Sequence, residues 1–449
     1  MQKNADWQFF FLWYCKIKIN MLILSHCRIK IMAHIIIKNV GPIREVDIEL
    51  NKINVFMGAQ SSGKSTIAKI ICHCQWVEKC FFPAIDSERL VCKYSKNFYE
   101  NLVEHHRLTD YFNDNSSIFY VGDYVTIEYN HNAKRVSIKV NENIRYSYPK
   151  ITYIPSERNL LAAIPFLTKY KDTDDYILDF MYDWFAARED LKGLSLTEIL
   201  NSEIAYSFSN ERDYIENQGN RILLTNASSG VQSLTPMMLV LKHNLETIYQ
   251  KEKTLSFDQR MIVYSLLDEL SANPVSARIN HLTQLLSDRG ERKIPIPKNP
   301  IEANSTISHL IETVFNYHLS KIFLEEPEQN LFPNTQIKFV YWLIESLKHG
   351  QRDHQLTLTT HSPYVLFSLN NCMMGGIIGK NIPKSNCKKF DSSSAWIYPK
   401  TVSIYEITGG TLRCIQDEDG IIEDNYLNKA YKEVSAEYLS LLEYYDDEK

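Results

Sequence analysis

The most constraining feature of this sequence is a short glycine-rich segment, Gly58–Ser65, which reads GAQSSGKS. It matches the pattern G-x-x-x-x-G-K-[ST] at every fixed position. It follows the apolar run Asn54–Met57 and precedes a helical pattern over about 64–76. Glycines in this context let the backbone N–H groups and a helix N-terminus face phosphate oxygens. The segment therefore predicts a phosphate loop between a β-strand and an α-helix, which restricts the chain to α/β folds.

The residues of this loop have distinct expected roles. Lys64 is expected to reach the outer phosphates of a nucleotide as a point charge, and the Ser65 hydroxyl is expected to hold Mg²⁺. The expected cofactors are therefore ATP and Mg²⁺. The expected nucleotide-binding residues of the loop and its first helical turn are Gly58, Ser61, Ser62, Gly63, Lys64, Ser65 and Thr66.

A second motif ends a predicted strand with two carboxylates. The strand Lys321–Leu324 is followed by Glu325 and Glu326, and then by Pro327 and Glu328. Alone, such a pattern also suits a strand that enters a turn. Beside a phosphate loop, we expect Glu325 to bind Mg²⁺ through water and Glu326 to orient and deprotonate the attacking water.

Two further segments lie where they can reach phosphate groups. His361 ends the next apolar run, Leu356–Thr359; a lone histidine is usually structural, but this strand end favours a contact with the γ-phosphate. Ser228, Ser229 and Gly230 precede a helix expected to begin near Leu234. Alone they suit an ordinary N-cap, but together with the other motifs they predict a second anion-binding helix terminus.

These four segments, in this order, resemble the ABC-type ATPase heads of the OLD and SMC-like branch, which are often classed as AAA-type ATPases. Ser228–Gly230 resembles the signature loop, with Ala227 in place of the usual Leu. Leu324–Glu328 with Asn330–Pro333 resembles the Walker B motif and D-loop, and Glu325 stands where many relatives have Asp. His361 resembles the switch histidine.

Two other segments add to the resemblance. Ile37–Ile43 resembles the opening strand of these heads, and Asn39 within it is assigned to the nucleotide site. Ile154–Asn159 is similar to a segment common in the bacterial members. No Q-loop glutamine is identified.

In this family the signature of one subunit completes the site of another. The resemblance therefore implies an ATP-dependent homodimer, with Ser228 and Gly230 acting in trans. OLD proteins append a TOPRIM nuclease, but the residues after His361 lack a clear glutamate strand and D-x-D pair, and Asp417–Asp419 suits a solvated loop. Stand-alone ATPases of this branch act with a separate effector in bacterial phage defence, as in Septu-like and retron systems, and the same role is expected here.

The predicted fold class is an α/β P-loop NTPase, an ABC-type head with an antiparallel β meander and a helical insertion. We expect residues 1–33 to be a spurious or disordered extension, with Met32 as the working start. The N-terminal ATPase lobe spans 34–159 and includes the meander at 118–148. The helical insertion 160–320 carries the signature, 321–415 form the C-terminal lobe, and 416–449 form an acidic helical tail.

Composition excludes several classes. Lys plus Arg is 49 and Asp plus Glu is 54, so the formal charge is 49 − 54 = −5. This balance lacks the basic footprint of a dedicated nucleic-acid binder, although nucleic acid stays an open partner. The nine irregularly spaced cysteines suit reduced thiols in the cytoplasm, and Cys72, Cys74 and Cys80 lack the spacing of a zinc site. The apolar run 7–15 is too short to span a membrane.

Three alternatives stay open. A DNA-repair ATPase of the SMC or RecF kind would require a long coiled coil or a basic surface. A transporter nucleotide-binding subunit fits the Glu-Glu-Pro-Glu ending and the large insertion less well. A switch that binds ATP without hydrolysis would not need the carboxylate of Glu326.

Overall fold

The computed structural model describes residues 32–81, 97–141, 147–163, 175–200, 202–250 and 316–445. A mixed sheet of eleven strands organises these residues. Its strands are β1 (Ala33–Val40), β2 (Ile43–Leu50), β3 (Ile53–Gly58), β4 (Phe112–Val121), β5 (Val125–Asn130), β6 (Arg135–Val140), β7 (Pro149–Ile154), β12 (Leu319–Glu325), β13 (Gln355–Thr360), β14 (Val402–Thr408) and β15 (Thr411–Cys414).

A second, four-stranded antiparallel sheet lies within the predicted insertion, and helices connect the strands. The strands of the second sheet are β8 (Gly193–Ser195), β9 (Ile204–Ser209), β10 (Arg212–Asn217) and β11 (Asn220–Leu223). The α-helices that lie wholly within the described ranges are α1 (Lys64–Phe81), α2 (Asn159–Ala163), α3 (Tyr176–Leu191), α4 (Thr197–Leu200), α5 (Ser229–Leu245), α6 (Pro333–Ser346), α7 (Pro363–Ile378), α8 (Lys384–Cys387) and α9 (Tyr426–Leu442).

The large sheet has a parallel half and an antiparallel half. Its order is β6-β5-β4-β1-β2-β15-β14-β3-β13-β12-β7. Strands β14, β3, β13, β12 and β7 pair in parallel, whereas β2, β1, β4, β5 and β6 pair antiparallel. Strand β15 pairs antiparallel with β14 and parallel with β2, and so joins the two halves. This arrangement confirms the predicted α/β fold with its antiparallel meander.

The central strand β3 shows why the parallel half was predictable. All six of its residues are buried, as expected for a strand covered on both faces. Ile53, Val55 and Met57 pack into a core with α3, α5, α6 and α7. Phe56 points to the other face and joins a second core with α1 and the meander. The two cores hold the sheet between helical layers and fix the strand ends beside the phosphate loop.

The predicted insertion contains more β-structure than the sequence indicated. Its described part carries α2 to α5, but β8–β11 were not predicted. In β9 and β10 only Tyr206 and Ile215 are fully buried, so the alternation of apolar and polar residues is weak. Residues 251–315 of the insertion, and 1–31 of the predicted extension, lie outside the described residues. No helix in the described ranges combines the length and apolar composition that crossing a membrane requires.

Candidate active site

The loop between β3 and α1 adopts the glycine-dependent conformation that its sequence predicts. Gly58 has φ = +155° and Gly63 has φ = +104°, and Ser61 also has a positive φ of +60°. A Cβ atom at Gly58 would come within 2.8 Å of both the Ile407 carbonyl oxygen and the Ser62 Oγ. Glycine is therefore required at the start of the loop, because any side chain there would collide with the neighbouring strand.

Lys64, the first residue of α1, folds back over its own loop. Its Nζ donates to the carbonyl oxygens of Gly58, at 3.0 Å, and Ala59, at 2.9 Å. Burial lowers the pKa of Lys64, and the nearby carboxylates, led by Glu326, partly oppose that shift. The ammonium group thus lies at the centre of the loop among negative charges.

The ends of β12 and β13 bring Glu326 and His361 to the same place as Lys64. The His361 Nε2 lies 3.0 Å from Glu326 Oε1, and its Nδ1 lies 3.5 Å from Lys64 Nζ. A tautomer with the proton on Nε2 satisfies both contacts, because the ring then donates to the carboxylate and accepts from the ammonium. The hydrogen bond from His361 is the main cause that lowers the pKa of Glu326. Three predicted residues from separate motifs therefore form one polar chain.

Glu326 has an unusual backbone. Its φ is +40°, a conformation that costs a non-glycine residue about 1–3 kcal/mol unless neighbours impose it. Its N–H donates to the Thr359 carbonyl at 2.9 Å, and its own carbonyl accepts from Arg158 Nη2 at 2.7 Å. These two contacts hold the peptide on both sides of Glu326 and direct its carboxylate towards His361.

Arg158 is a site residue to which the sequence analysis gave no role. It lies in a short turn after β7 and is completely buried. Its Nη1 donates to the carbonyl oxygens of Glu325, at 2.8 Å, and Pro155, at 3.2 Å. Burial lowers its pKa to about 10, so it stays charged at neutral pH. One sequence signal could have identified it: Arg158 closely follows an apolar strand, and an arginine that is buried there needs polar partners.

Glu325, the last residue of β12, has different hydrogen-bond partners from Glu326. Its Oε1 accepts from the Tyr153 hydroxyl at 2.5 Å, and its Oε2 accepts from the Ser156 N–H at 3.3 Å. The side chain is buried. Ser65, the other predicted Mg²⁺ ligand, is half-buried in the first turn of α1, where Thr66 is buried.

Glu328 is a second site residue without a predicted role. Its Oε1 accepts from the His361 N–H at 2.6 Å and from Thr360 Oγ1 at 3.0 Å. Burial raises its pKa, and its Oε2 is buried without a hydrogen-bond partner in the described residues. Glu328 therefore fixes the backbone that carries His361.

The predicted signature lies at the start of α5. This helix begins at Ser229, five positions before the predicted start near Leu234. Ser228 is the N-cap residue, but its side chain makes no capping hydrogen bond, and Ser228 and Ser229 are exposed. A Cβ atom at Gly230 would lie 2.8 Å from the carbonyl oxygen of Asn330. Gly230 therefore packs within its own chain, against the Asn330 segment that resembles a D-loop, while the two serines are exposed.

Asn39 is placed differently from the other predicted residues. Its Nδ2 donates to the Asn115 carbonyl at 3.1 Å, so its side chain joins β1 to the start of β4. The turn that follows it does approach the loop, because a Cβ atom at Gly63 would lie 3.2 Å from Pro42 and 3.0 Å from Ile43.

The C-terminal segment also reaches the phosphate loop. The hydroxyl of Tyr426, the first residue of α9, donates to the Gly58 carbonyl at 3.1 Å. No sequence signal pointed to this contact between residues so far apart in the chain.

The cysteines considered for zinc, Cys72 and Cys74, are buried free thiols whose pKa is raised by burial. The described ranges hold no cluster of metal-binding side chains.

Comparisons with known proteins give structures but no relatives by sequence. No family profile and no curated protein matches the chain. The SMC head domain from Thermotoga maritima is 10% identical over 86% of this chain and 99% of its own, with a TM-score of 0.34. The recombination mediator protein RecF is 10% identical over 86% of this chain and 99% of its own, with a TM-score of 0.30. An ATP-binding cassette, solved as a dimer bound to ADP and Pi, is 11% identical over 84% of this chain and 96% of its own, with a TM-score of 0.25. The function proposed below rests on the geometry of the site.

Proposed function

We propose that this chain binds ATP with Mg²⁺ and hydrolyses it. The observation that carries the proposal is the polar chain of Lys64, His361 and Glu326, in which a loop cation, an imidazole and an ionised carboxylate meet. They come from three adjacent parallel strands, at the edge where the phosphate loop begins. A phosphate-binding cation beside a candidate general base is what hydrolysis of a phosphoanhydride requires.

The loop fits a phosphate group. Among the described residues, Lys64 Nζ has only neutral carbonyl oxygens and an imidazole nitrogen within hydrogen-bond distance, and a phosphate oxygen would be a stronger acceptor for it. Ser62 Oγ is buried without a hydrogen-bond partner in the described residues. Buried hydroxyls are normally hydrogen-bonded, so a ligand oxygen at the loop would satisfy this group.

The residues of the strand ends suit the remaining steps. Glu326 is ionised at neutral pH because its pKa is lowered, so it can accept a proton from water. His361 orients that carboxylate. The bound metal ion would neutralise phosphate charge, and Ser65 and Glu325 would hold it. Glu325 accepts one hydrogen bond at each oxygen, which leaves lone pairs for a water of the metal shell.

The proposal extends to a dimer that closes around ATP. The signature serines Ser228 and Ser229 are exposed, so they are available to a second copy. An anti-phage role with a separate effector, on the OLD-like side of the branch, follows from the resemblance of the motifs alone. Co-purification of the tagged chain from its native cells would identify such an effector.

The test of hydrolysis is Glu326→Gln. The amide keeps the shape of the side chain but cannot accept the proton, so turnover should fall by ~10²–10⁴-fold, while ATP binding measured by calorimetry persists. Glu49→Gln, an exposed carboxylate on β2, is the matched control and should have normal turnover. If Glu325→Gln lost turnover and Glu326→Gln did not, the two roles would be reversed. Wild-type protein that binds ATP without turnover would show a binding switch.

A further inference from the structure

Helix α9 is amphipathic and has no cover in the described chain. It begins at its N-cap Asn425, whose side chain accepts from the N–H groups of Leu427 and Asn428. Tyr426 and Leu427 pack partly on the main core. No residue of the helix is buried, and beyond Asn428 nearly every side chain is exposed.

Four exposed apolar residues of this helix form a regular seam. They recur at alternating spacings of four and three, which is the heptad spacing of helices that pair along their length. Tyr431 is 76% exposed, Val434 68%, Tyr438 62% and Leu441 64%. The same spacing reaches back to Leu427, which packs partly on the main core, and the exposed Leu439 and Leu442 lie beside the seam. Lys429, Lys432, Glu433 and Glu443 lie on the opposite face, as about 100° per residue requires.

The order of residue types along the seam indicates the occupant. Along the exposed seam, tyrosine takes one heptad position (431 and 438) and an aliphatic residue takes the other (434 and 441). When two copies pair antiparallel, the two positions face each other. Tyr431 then lies opposite Leu441 of the second copy, and Val434 opposite Tyr438. Every layer combines one ring with one aliphatic side chain, whereas a parallel pair would alternate double-ring layers with small ones.

We propose that α9 pairs antiparallel with α9 of a second copy of this chain, without nucleotide. Such a pair would hold two chains at a high effective concentration, so that closure around ATP becomes an intramolecular step. The pairing itself does not depend on the proposed ATPase activity. Only the effect on closure around ATP rests on the proposed function. The hydrogen bond from Tyr426 to the Gly58 carbonyl connects the helix to the phosphate loop and supports that effect.

The first test is sedimentation equilibrium of the full chain without nucleotide. The wild type should be a dimer. Val434→Glu places a carboxylate in the seam and should weaken the dimer by at least about tenfold, because a charge buried without a partner is costly. Ala436→Glu, on the exposed opposite side of the same helix, is the matched control and should stay dimeric. A wild type that is monomeric at the highest concentration reached, or a Val434→Glu variant that dimerises normally, would overturn the proposal.

The second test addresses direction. In an antiparallel pair, the double variant Val434→Glu/Tyr438→Lys brings the introduced carboxylate opposite the introduced amine of the other copy, twice. It should therefore dimerise more tightly than Val434→Glu alone. In a parallel pair the same variant sets like charges against each other, so a weaker dimer than that of Val434→Glu would overturn the antiparallel arrangement. ATP turnover is measured separately, so loss of pairing and loss of catalysis are distinguishable.

Discussion

The position of Glu326 depends on contacts from three distant segments. Thr359 binds its N–H, Arg158 binds its carbonyl and His361 binds its carboxylate. The left-handed backbone of Glu326 is unfavourable in isolation, so these contacts together impose it. The carboxylate is thereby oriented before any ligand binds.

The influence of His361 on Glu326 predicts a change in pH dependence. The pKa of Glu326 is lowered mainly by the His361 hydrogen bond, so this proposed base loses its charge only at low pH. His361→Ala should raise that pKa, and the acidic limb of the kcat/KM profile should move to higher pH. The Glu328 contact is to the His361 backbone and survives the substitution. His349→Ala, at an exposed histidine, should not move the limb; an unchanged limb in His361→Ala would contradict this role.

Arg158 is expected to act as a positioning residue. Its planar fork donates to the Glu325 and Glu326 carbonyl oxygens at once, which a lysine ammonium cannot reproduce with the same geometry. Arg158→Lys should lower kcat by about 10²-fold, because small displacements of catalytic groups are that costly, while the KM for ATP changes little. Arg44→Lys, at an exposed position, is the control. Equal loss of kcat and of ATP affinity, with a lower Tm, would indicate a purely structural role.

At the scale of elements, the sequence predicted what is locally encoded. Strand β3 is apolar throughout because both of its faces are covered, and α6 follows a regular apolar period. Helix α5 begins earlier than predicted because its first turn, Ser229–Gln232, has no buried residue. Strands β9 and β10 bury one side chain each, which leaves little pattern to detect.

The same distinction applies to the site. Lys64, Glu326 and His361 could be predicted because each ends or follows a recognisable strand. Arg158 and Glu328 act through backbone groups of other segments, and no motif states which carbonyl or N–H group will be nearby. Asn39 was assigned by resemblance, but its amide is used between β1 and β4.

Helix α1 is joined to the meander by a buried charge, and this predicts a large effect on stability. Glu78 is fully buried and accepts from the Tyr120 hydroxyl at 3.1 Å and the Tyr124 N–H at 2.6 Å. The buried ammonium of Lys321 lies 3.8 Å away. Glu78→Ala removes the carboxylate partner of that ammonium and should lower the free energy of unfolding by about 3–5 kcal/mol, measured in urea. Glu49→Ala should change it little. A loss below about 1 kcal/mol at Glu78 would contradict this role.

At the scale of the whole molecule, the predicted signature and the predicted phosphate loop occupy different parts of one chain. Ser228 and Ser229 face outwards, and Gly230 packs on the Asn330 carbonyl. A substitution at Gly230 would therefore disturb its own chain, whereas Ser229→Arg changes an exposed position. If two copies complete each other's sites, Ser229→Arg should abolish turnover and spare ATP binding, and Lys64→Ala should abolish both.

The most direct measurement is ATP turnover by a heterodimer of these two variants, co-expressed with different tags and purified through both. One of its two sites pairs an intact phosphate loop with an intact signature, so the heterodimer should regain activity that neither parent shows. Matched homodimers carried through the same purification set the background. Turnover by Ser229→Arg alone at the wild-type rate, or a heterodimer no more active than its parents, would contradict a site completed between two copies.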